Sequence, residues 1–466
     1  MSGLKTRVAA MTSTTCIRAT AQPGTPSEKP SIRIADPGFP VVAQHMYMLM
    51  LRNITTDGYV VNDPYTGQAS QPGCVIAAPS YRGHTPNTDQ DYVFNWMRDA
   101  AITMFEIAAA DLSDQAIGGV QTLTDYVNFA ALCQSKAQPT LGHACFTVGG
   151  DPRPWTEQSD GPALQTLAIL QAYTKVDAPT QATARAVIQT NLDYLLAQYQ
   201  NPTFNLWEEH QGLSFFARSV QLRCFQAISA NTLGIAKPAG LAAAITWLQD
   251  ALGRHWNGSY YISMLAPPAP GSALSPLLPE SVGYDANIDI VCACLYGAIP
   301  CIDTQLLATA ALLRSQWADP NSAAYYPING DDAGRGLGPM LGRYPGDVYD
   351  GDMANQQRGD HPWALCTCNL AELYYRVANS IVSSNTIPFD DKSAAFFTAL
   401  AAPKGTSVEE TAQVLRDAGD KMLRAVLFHS DHLELSEQFD GANGYEKSVS
   451  NLTWSYAAFL SAVRNR

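Results

Sequence analysis

The sequence predicts an all-α protein, a ring of helices with long loops gathered at one end. Three observations predict it. Apolar residues recur every three or four positions in one segment after another, roughly a dozen times, which is the signature of amphipathic helices. Alternating strand-and-helix units are absent: strand signal is confined to "GSYYISM" (258–264) and "AAYYP" (323–327), which argues against a doubly wound sheet or a β/α barrel. The helical runs are separated by long loops rich in Gly, Pro, Asp, Trp and Tyr, over 53–95, 138–160, 257–285, 319–361 and 429–450. Such loops are uncommon inside a compact domain unless they carry function.

In chain order, helical runs cover about 40–52 and 97–110, and Ile117, Val120, Leu123, Val127 and Ala130 mark a third. Gly161-Pro162 opens the fourth ahead of Leu164, Leu167 and Ala168, with the proline at a favoured first helical position. Further runs span about 180–199, 212–234, 238–256, 286–299, 303–318 and 362–382. Ser407 and Glu410 have the spacing of a capping box for a helix over 407–428. In the final run Leu452, Tyr456, Phe459 and Val463 line one face.

With 46% hydrophobic and 15% charged residues, the 466-residue chain has the balance of a globular protein with a large buried interior. Residues 36–466 read as a single domain, since helical rings reach this length around one core. Residues 1–35 read as a disordered leader rich in Pro, Ser and Thr, or as a signal segment, since a mildly apolar stretch from Val8 to Ile17 precedes Ala19-Thr20-Ala21. A signal segment would make the protein secreted or extracellular. The formal charge of −13 and the lack of a Lys/Arg run exclude a nucleic-acid partner. No run is long and apolar enough to span a membrane. The ten cysteines lack metal-ligand spacing, so no metal is expected; most read as free buried thiols, with Cys74, Cys133 and Cys145 as candidates for a disulfide. "GRGLG" (334–338) imitates a phosphate loop, but no apolar strand precedes it and no Lys follows. Asn53 and Asn257 begin glycosylation sequons.

Five junctions combine aromatic and acidic residues: "DYVFNWMRDAA" (91–101), "PWTEQSDGPAL" (154–164), "FNLWEEHQG" (204–212), "LGRYPGDVYDG" (341–351) and "LELSEQFDG" (433–441). Aromatic platforms beside carboxylates and an arginine suit a sugar, whose C–H face packs on a ring while its hydroxyls need dense hydrogen bonding. Hydrolysis of a glycoside needs two carboxyl groups, one to protonate the leaving oxygen and one to activate water or attack. Glu208 and Glu209 cannot be that pair, because consecutive side chains diverge on a helix or a strand; at most one of them faces a pocket.

In order along the chain, "FNWMRDAA", "SDGPALQT", "LWEEHQGLSFF", "YDAN", "GRYPGDVYDG", "HPWALCT", "LSEQFD" and "NLTWSYAA" resemble the successive motifs of the glucoamylase family, glycoside hydrolase family 15, from about residue 90 to the C-terminus. The resemblance implies an (α/α)6 barrel of about twelve helices with the active site among the long loops at one end. It implies an exo-acting, inverting hydrolase that releases β-D-glucose from non-reducing ends of α-1,4-glucans or maltooligosaccharides, with no cofactor, as a monomer. Glu208 matches the general acid and Glu437 the general base. Tyr92 matches the tyrosine that helps hold the water, and Arg98 with Asp99 the pair that grips the terminal glucose. Arg343, Trp363 and Glu209 match other sugar-binding positions, and Trp96, Trp155 and Trp207 complete the expected substrate-binding set.

The chain departs from the family's pattern at Asn205, where an acid is usual, at Gly346 within "YPGD", at an insertion "DMANQQRGD" (352–360), and at Trp155, which lies one residue closer to Asp160. These changes leave open another α-glucoside of isomaltose or trehalose type, or a silent sugar-binding relative. Asp99 could be only the ion-pair partner of Arg98, Asp160 only a turn residue, and Trp454 reads as core.

Overall fold

The computed structural model describes residues 38–63, 66–79, 92–110, 119–267, 286–351 and 359–466. The leader 1–35, Ile117, Tyr284-Asp285 and most of the 352–360 insertion lie outside them.

Fourteen helices occur among the described residues: α1 (Phe39–Leu51), α2 (Met97–Ala109), α3 (Gly119–Lys136), α4 (Asp160–Ala172), α5 (Ala178–Gln198), α6 (Phe215–Ala230), α7 (Leu241–Gly253), α8 (Asp289–Leu295), α9 (Thr304–Ala318), α10 (Pro327–Gly334), α11 (Ala364–Ser384), α12 (Ala394–Thr398), α13 (Val408–His429) and α14 (Thr453–Asn465). Helices α2, α4, α6, α8, α11 and α14 each pack against the next, and α14 returns to α2, closing an inner ring. Helices α3, α5, α7, α9, α13 and α1 pack outside α2, α4, α6, α8, α11 and α14 respectively. Six inside and six outside make the (α/α)6 barrel. The short α10 and α12 are additions beside α9.

Burial explains which helices went inside. Every residue from Met97 to Ala108 of α2 is buried, as are all of α8, Ala364–Tyr375 of α11 and Thr453–Ala462 of α14. A helix covered on every side must lie between others. The outer α5, α7 and α13 bury one stripe each. Toward the C-terminal ends of the inner helices, buried carboxylates are held by ion pairs: Arg464 donates to Glu106 at 2.7 Å, and Arg376 Nε to Glu372 at 2.8 Å. The N-terminal ends point the other way and carry the site.

The sequence-based helices hold with local corrections. The run expected over 212–234 begins at Phe215, because Gln211–Ser214 pairs as the middle strand of a small antiparallel sheet with Thr203–Phe204 and Met264–Leu265. The run expected over 286–299 shrinks to Asp289–Leu295. Pro162 is the third helical residue, since Asp160 opens α4. "AAYYP" is not a strand; its proline opens α10. The Ser407–Glu410 capping box is present. No disulfide joins any of the nine described cysteines, Cys74, Cys133 and Cys145 included. Asn53 is buried, with its amide donating to Asn451 O and Thr453 Oγ1, whereas Asn257 is exposed; only the second sequon is accessible.

Candidate active site

The consecutive glutamates stand in a turn between the strands Thr203–Phe204 and Gln211–Ser214. Asn205, fully buried, organises it: its carbonyl accepts from Glu208 N at 3.0 Å and from Gln158 Nε2 at 2.6 Å, and its side-chain oxygen accepts from Glu209 N and His210 N at 2.9 and 3.1 Å. This leaves Glu208 in a left-handed conformation with φ of 67°. A non-glycine residue there is strained and persists only where its surroundings fix it. The conformation corrects the expectation that one glutamate at most faces a pocket. Being neither helix nor strand, the turn sends both carboxylates into the same cavity toward different partners.

Glu208 accepts from Arg98 Nη2 at 2.8 Å and from the indole N–H of Trp155. Arg98 also reaches Asp99 Oδ1 at 2.8 Å, Gln158 Oε1 at 3.1 Å and, through Nε, Asp160 Oδ2 at 3.4 Å, with its guanidinium over Trp454 at 4.9 Å. Asp99 is thus an ion-pair partner and a pocket-lining residue at once, and Asp160 contributes charge beneath it. Burial pushes the Asp99 carboxyl up to about 7, against the pull of Arg98.

Glu209 is held on the opposite side by Arg343 Nη2 at 2.7 Å and Tyr344 OH at 3.0 Å. Asp347 grips Arg343 with both oxygens, each at 2.7 Å. Arg343 lies among Trp207, Tyr349 and Trp363, 4.9 to 5.3 Å from their ring centres. Trp207 in turn donates to Asn287 just before α8. Gly346 adopts φ of 80° and donates to Asp360 Oδ2, so glycine suits the turn where the family pattern has an acid.

Glu437 comes from a third direction, beside the hairpin Gln438–Phe439 with Glu446–Lys447. It accepts from Tyr92 OH at 2.8 Å, Tyr349 OH at 2.9 Å and Ser448 Oγ. Burial raises its carboxyl above the ordinary range, while those hydroxyls and Arg343 oppose the rise by favouring the ionised form.

All eleven residues singled out in the sequence, Tyr92, Trp96, Arg98, Asp99, Trp155, Trp207, Glu208, Glu209, Arg343, Trp363 and Glu437, line one cavity of about 340 Å³. The structure adds Ala77, Arg153, Leu206, Tyr349, Leu452 and Trp454. Tyr349 was within a junction of the right composition; Trp454, read as core, is buried yet forms wall. Gln158, Asp347 and Ser448 act behind the lining and carried no signal beyond their place near it.

Comparison with known proteins identifies the family and the fold. The model of glycosyl hydrolases family 15 matches residues 45–464. A glucoamylase of Blastobotrys adeninivorans is 27% identical over 84% of this chain and 67% of its own length, and the intracellular sporulation-specific glucoamylase of Saccharomyces cerevisiae 28% over 85% and 79%. In fold, the glucoamylase of Saccharomycopsis fibuligera superposes with a TM-score of 0.73 at 23% identity, covering 92% of this chain and 94% of that one. The match runs through the helical ring and every lining residue of the cavity, and the chain belongs to glycosyl hydrolases family 15.

Proposed function

We propose that the protein is an exo-acting, inverting α-glucosidase of glucoamylase type, releasing β-D-glucose from the non-reducing ends of α-1,4-glucans and maltooligosaccharides. The observation that carries this reading is that Glu208 and Glu437 reach one cavity from separate walls, each held by its own donors and not bonded to the other. Glu208 gives its proton to the glycosidic oxygen as the bond to C1 breaks. Glu437 takes a proton from a water that attacks C1 on the far face, which inverts the anomeric centre. Tyr92, Tyr349 and Ser448 keep the base aimed at that water. Arg98, Asp99, Glu209 and Arg343 supply charged hydrogen-bond partners for sugar hydroxyls, and Trp96, Trp207 and Trp363 supply apolar ring faces.

The test is proton NMR of the glucose first released from maltose, maltotriose, soluble starch, isomaltose and trehalose, with Glu437→Gln as control. β-Glucose from the maltooligosaccharides, lost by about two to four orders of magnitude in kcat in the variant, is expected. α-Glucose as the first product, or full turnover by the variant, sinks the reading; β-glucose from trehalose or isomaltose alone moves it to that linkage.

A further inference from the structure

Trp155 is unusual among the site's aromatic residues. It is 52% exposed, yet its indole N–H must meet one particular oxygen of Glu208. A half-exposed tryptophan on a loop has many rotamers open to it, and fixing one needs a partner on the other side of the ring. Arg153 is placed to be that partner. Its guanidinium carbon lies 4.5 Å from the Trp155 ring centre and 4.1 Å from that of the buried Phe94, with Trp96 at 5.9 Å. The cation is a layer between Trp155 and Phe94.

The backbone explains why the two side chains share a side. Pro152 bridges Phe146 and Glu157 bridges His143, so the segment between them bulges off an adjacent stretch of chain. Arg153 N donates to Cys145 O at 3.1 Å, and Trp155 N donates back to Arg153 O at 2.8 Å across Pro154. That adjacent stretch also carries Cys145–Phe146, paired with Asn95–Trp96 at the head of α2, where Arg98 begins its reach to Glu208. Both donors to the acid are therefore referenced to one short piece of backbone, Arg98 through α2 and Trp155 through Arg153.

We infer that Arg153 is a positioning residue for the general acid: stacked between Phe94 and Trp155, it holds the Trp155 indole N–H on Glu208. The inference rests on the reading of Glu208 as acid, but its structural half does not. Cation–π contact favours the face-on arrangement, and the planar guanidinium suits it better than an ammonium. Arg153→Ala frees the ring and removes one of the two donors to Glu208 without touching the glutamate.

The experiment is a double-mutant cycle of Arg153→Ala and Trp155→Phe, with Arg153→Lys as the conservative variant. Steady-state kinetics on maltotriose are measured together with acrylamide quenching of Trp155, taken as the difference between proteins with and without the Trp155→Phe change. Arg153→Ala is expected to lower kcat about tenfold to a hundredfold, within what assistance at one proton transfer supplies. It is expected to cost less than twofold more once Trp155 is already Phe, and to increase quenching of Trp155. Arg153→Lys should fall between. Equal losses from Arg153→Ala in both backgrounds, or unchanged quenching of Trp155, overturn the inference. Quenching needs no turnover, so increased quenching with no kinetic coupling would leave Arg153 holding the ring and overturn the acid's dependence on it, whereas an inactive wild type would fault the reading of the site.

Discussion

At the scale of single residues, the two glutamates of one turn differ because their partners differ. Glu208 faces Arg98 and Trp155, Glu209 faces Arg343 and Tyr344, and the left-handed φ of Glu208 lets neighbours in sequence share a cavity without sharing a role. Glu437 is the residue whose surroundings make the sharpest demand. Burial pushes its carboxyl up, and the Ser448, Tyr92 and Tyr349 hydroxyls hold it down by bonding to the charged form. In the proposed mechanism Glu437 is the base, and a base must be ionised to take a proton, so activity is expected to fall as pH drops through its pKa. Tyr349→Phe removes one of the opposing bonds and raises that pKa further. The acidic limb of kcat/KM should move to higher pH, with the plateau kcat kept within about tenfold, since the base itself remains. A pH–rate profile checks it; an unmoved limb, or one moved to lower pH, would mean that the Tyr349 hydroxyl does not act on the base.

At the scale of elements, the twelve barrel helices were legible as apolar-rich runs of helical length, some with one buried face, as in α13, and some buried on every side, as in α2 and α14. Which ring a helix joins was not read: inner α2 and α14 differ from outer α13 by being covered all round, and that depends on neighbours far away in sequence. The strands escaped because most are two residues long, set by loops that meet rather than by alternation. The site divides the same way. The aromatic and charged residues of the junctions were mostly found, while Gln158, inside one junction, and Ser448, outside all of them, are polar residues defined by what they reach and were not. The capping box at α13 is the cleanest local signal, with Ser407 Oγ accepting from Glu410 N at 3.2 Å and the Glu410 carboxylate accepting from Ser407 N at 3.3 Å. Ser407→Ala should destabilise by about 1 kcal/mol, judged by urea midpoint at unchanged slope, and leave kcat alone because α13 lies in the outer ring. A loss much beyond about 2 kcal/mol would mean the residue supports more than its helix end.

At the scale of the whole molecule, the ring has consequences for chemistry that no single element shows. Cys224 on α6, Cys292 and Cys294 on α8, and Cys366 and Cys368 on α11 are buried where three successive inner helices meet their neighbours. Burial pushes the Cys224 thiol up to about 12 and raises the other four as well, so none offers a thiolate near neutral pH. A closed ring has no inner helix that can leave without opening two contacts, so these thiols reach solvent only when the ring opens. Cys301 sits outside it, half-buried beside Ser380 Oγ at 3.1 Å. Labelling the native protein with a thiol reagent and mapping the sites by mass spectrometry should find Cys301 modified first among these six. The five inner-ring cysteines should follow together, at one rate that rises in parallel with denaturant, as expected of a single cooperative unit. If Cys292 and Cys294 were labelled well ahead of Cys224, Cys366 and Cys368, the short α8 would open on its own, and the barrel would be a ring with one weak member.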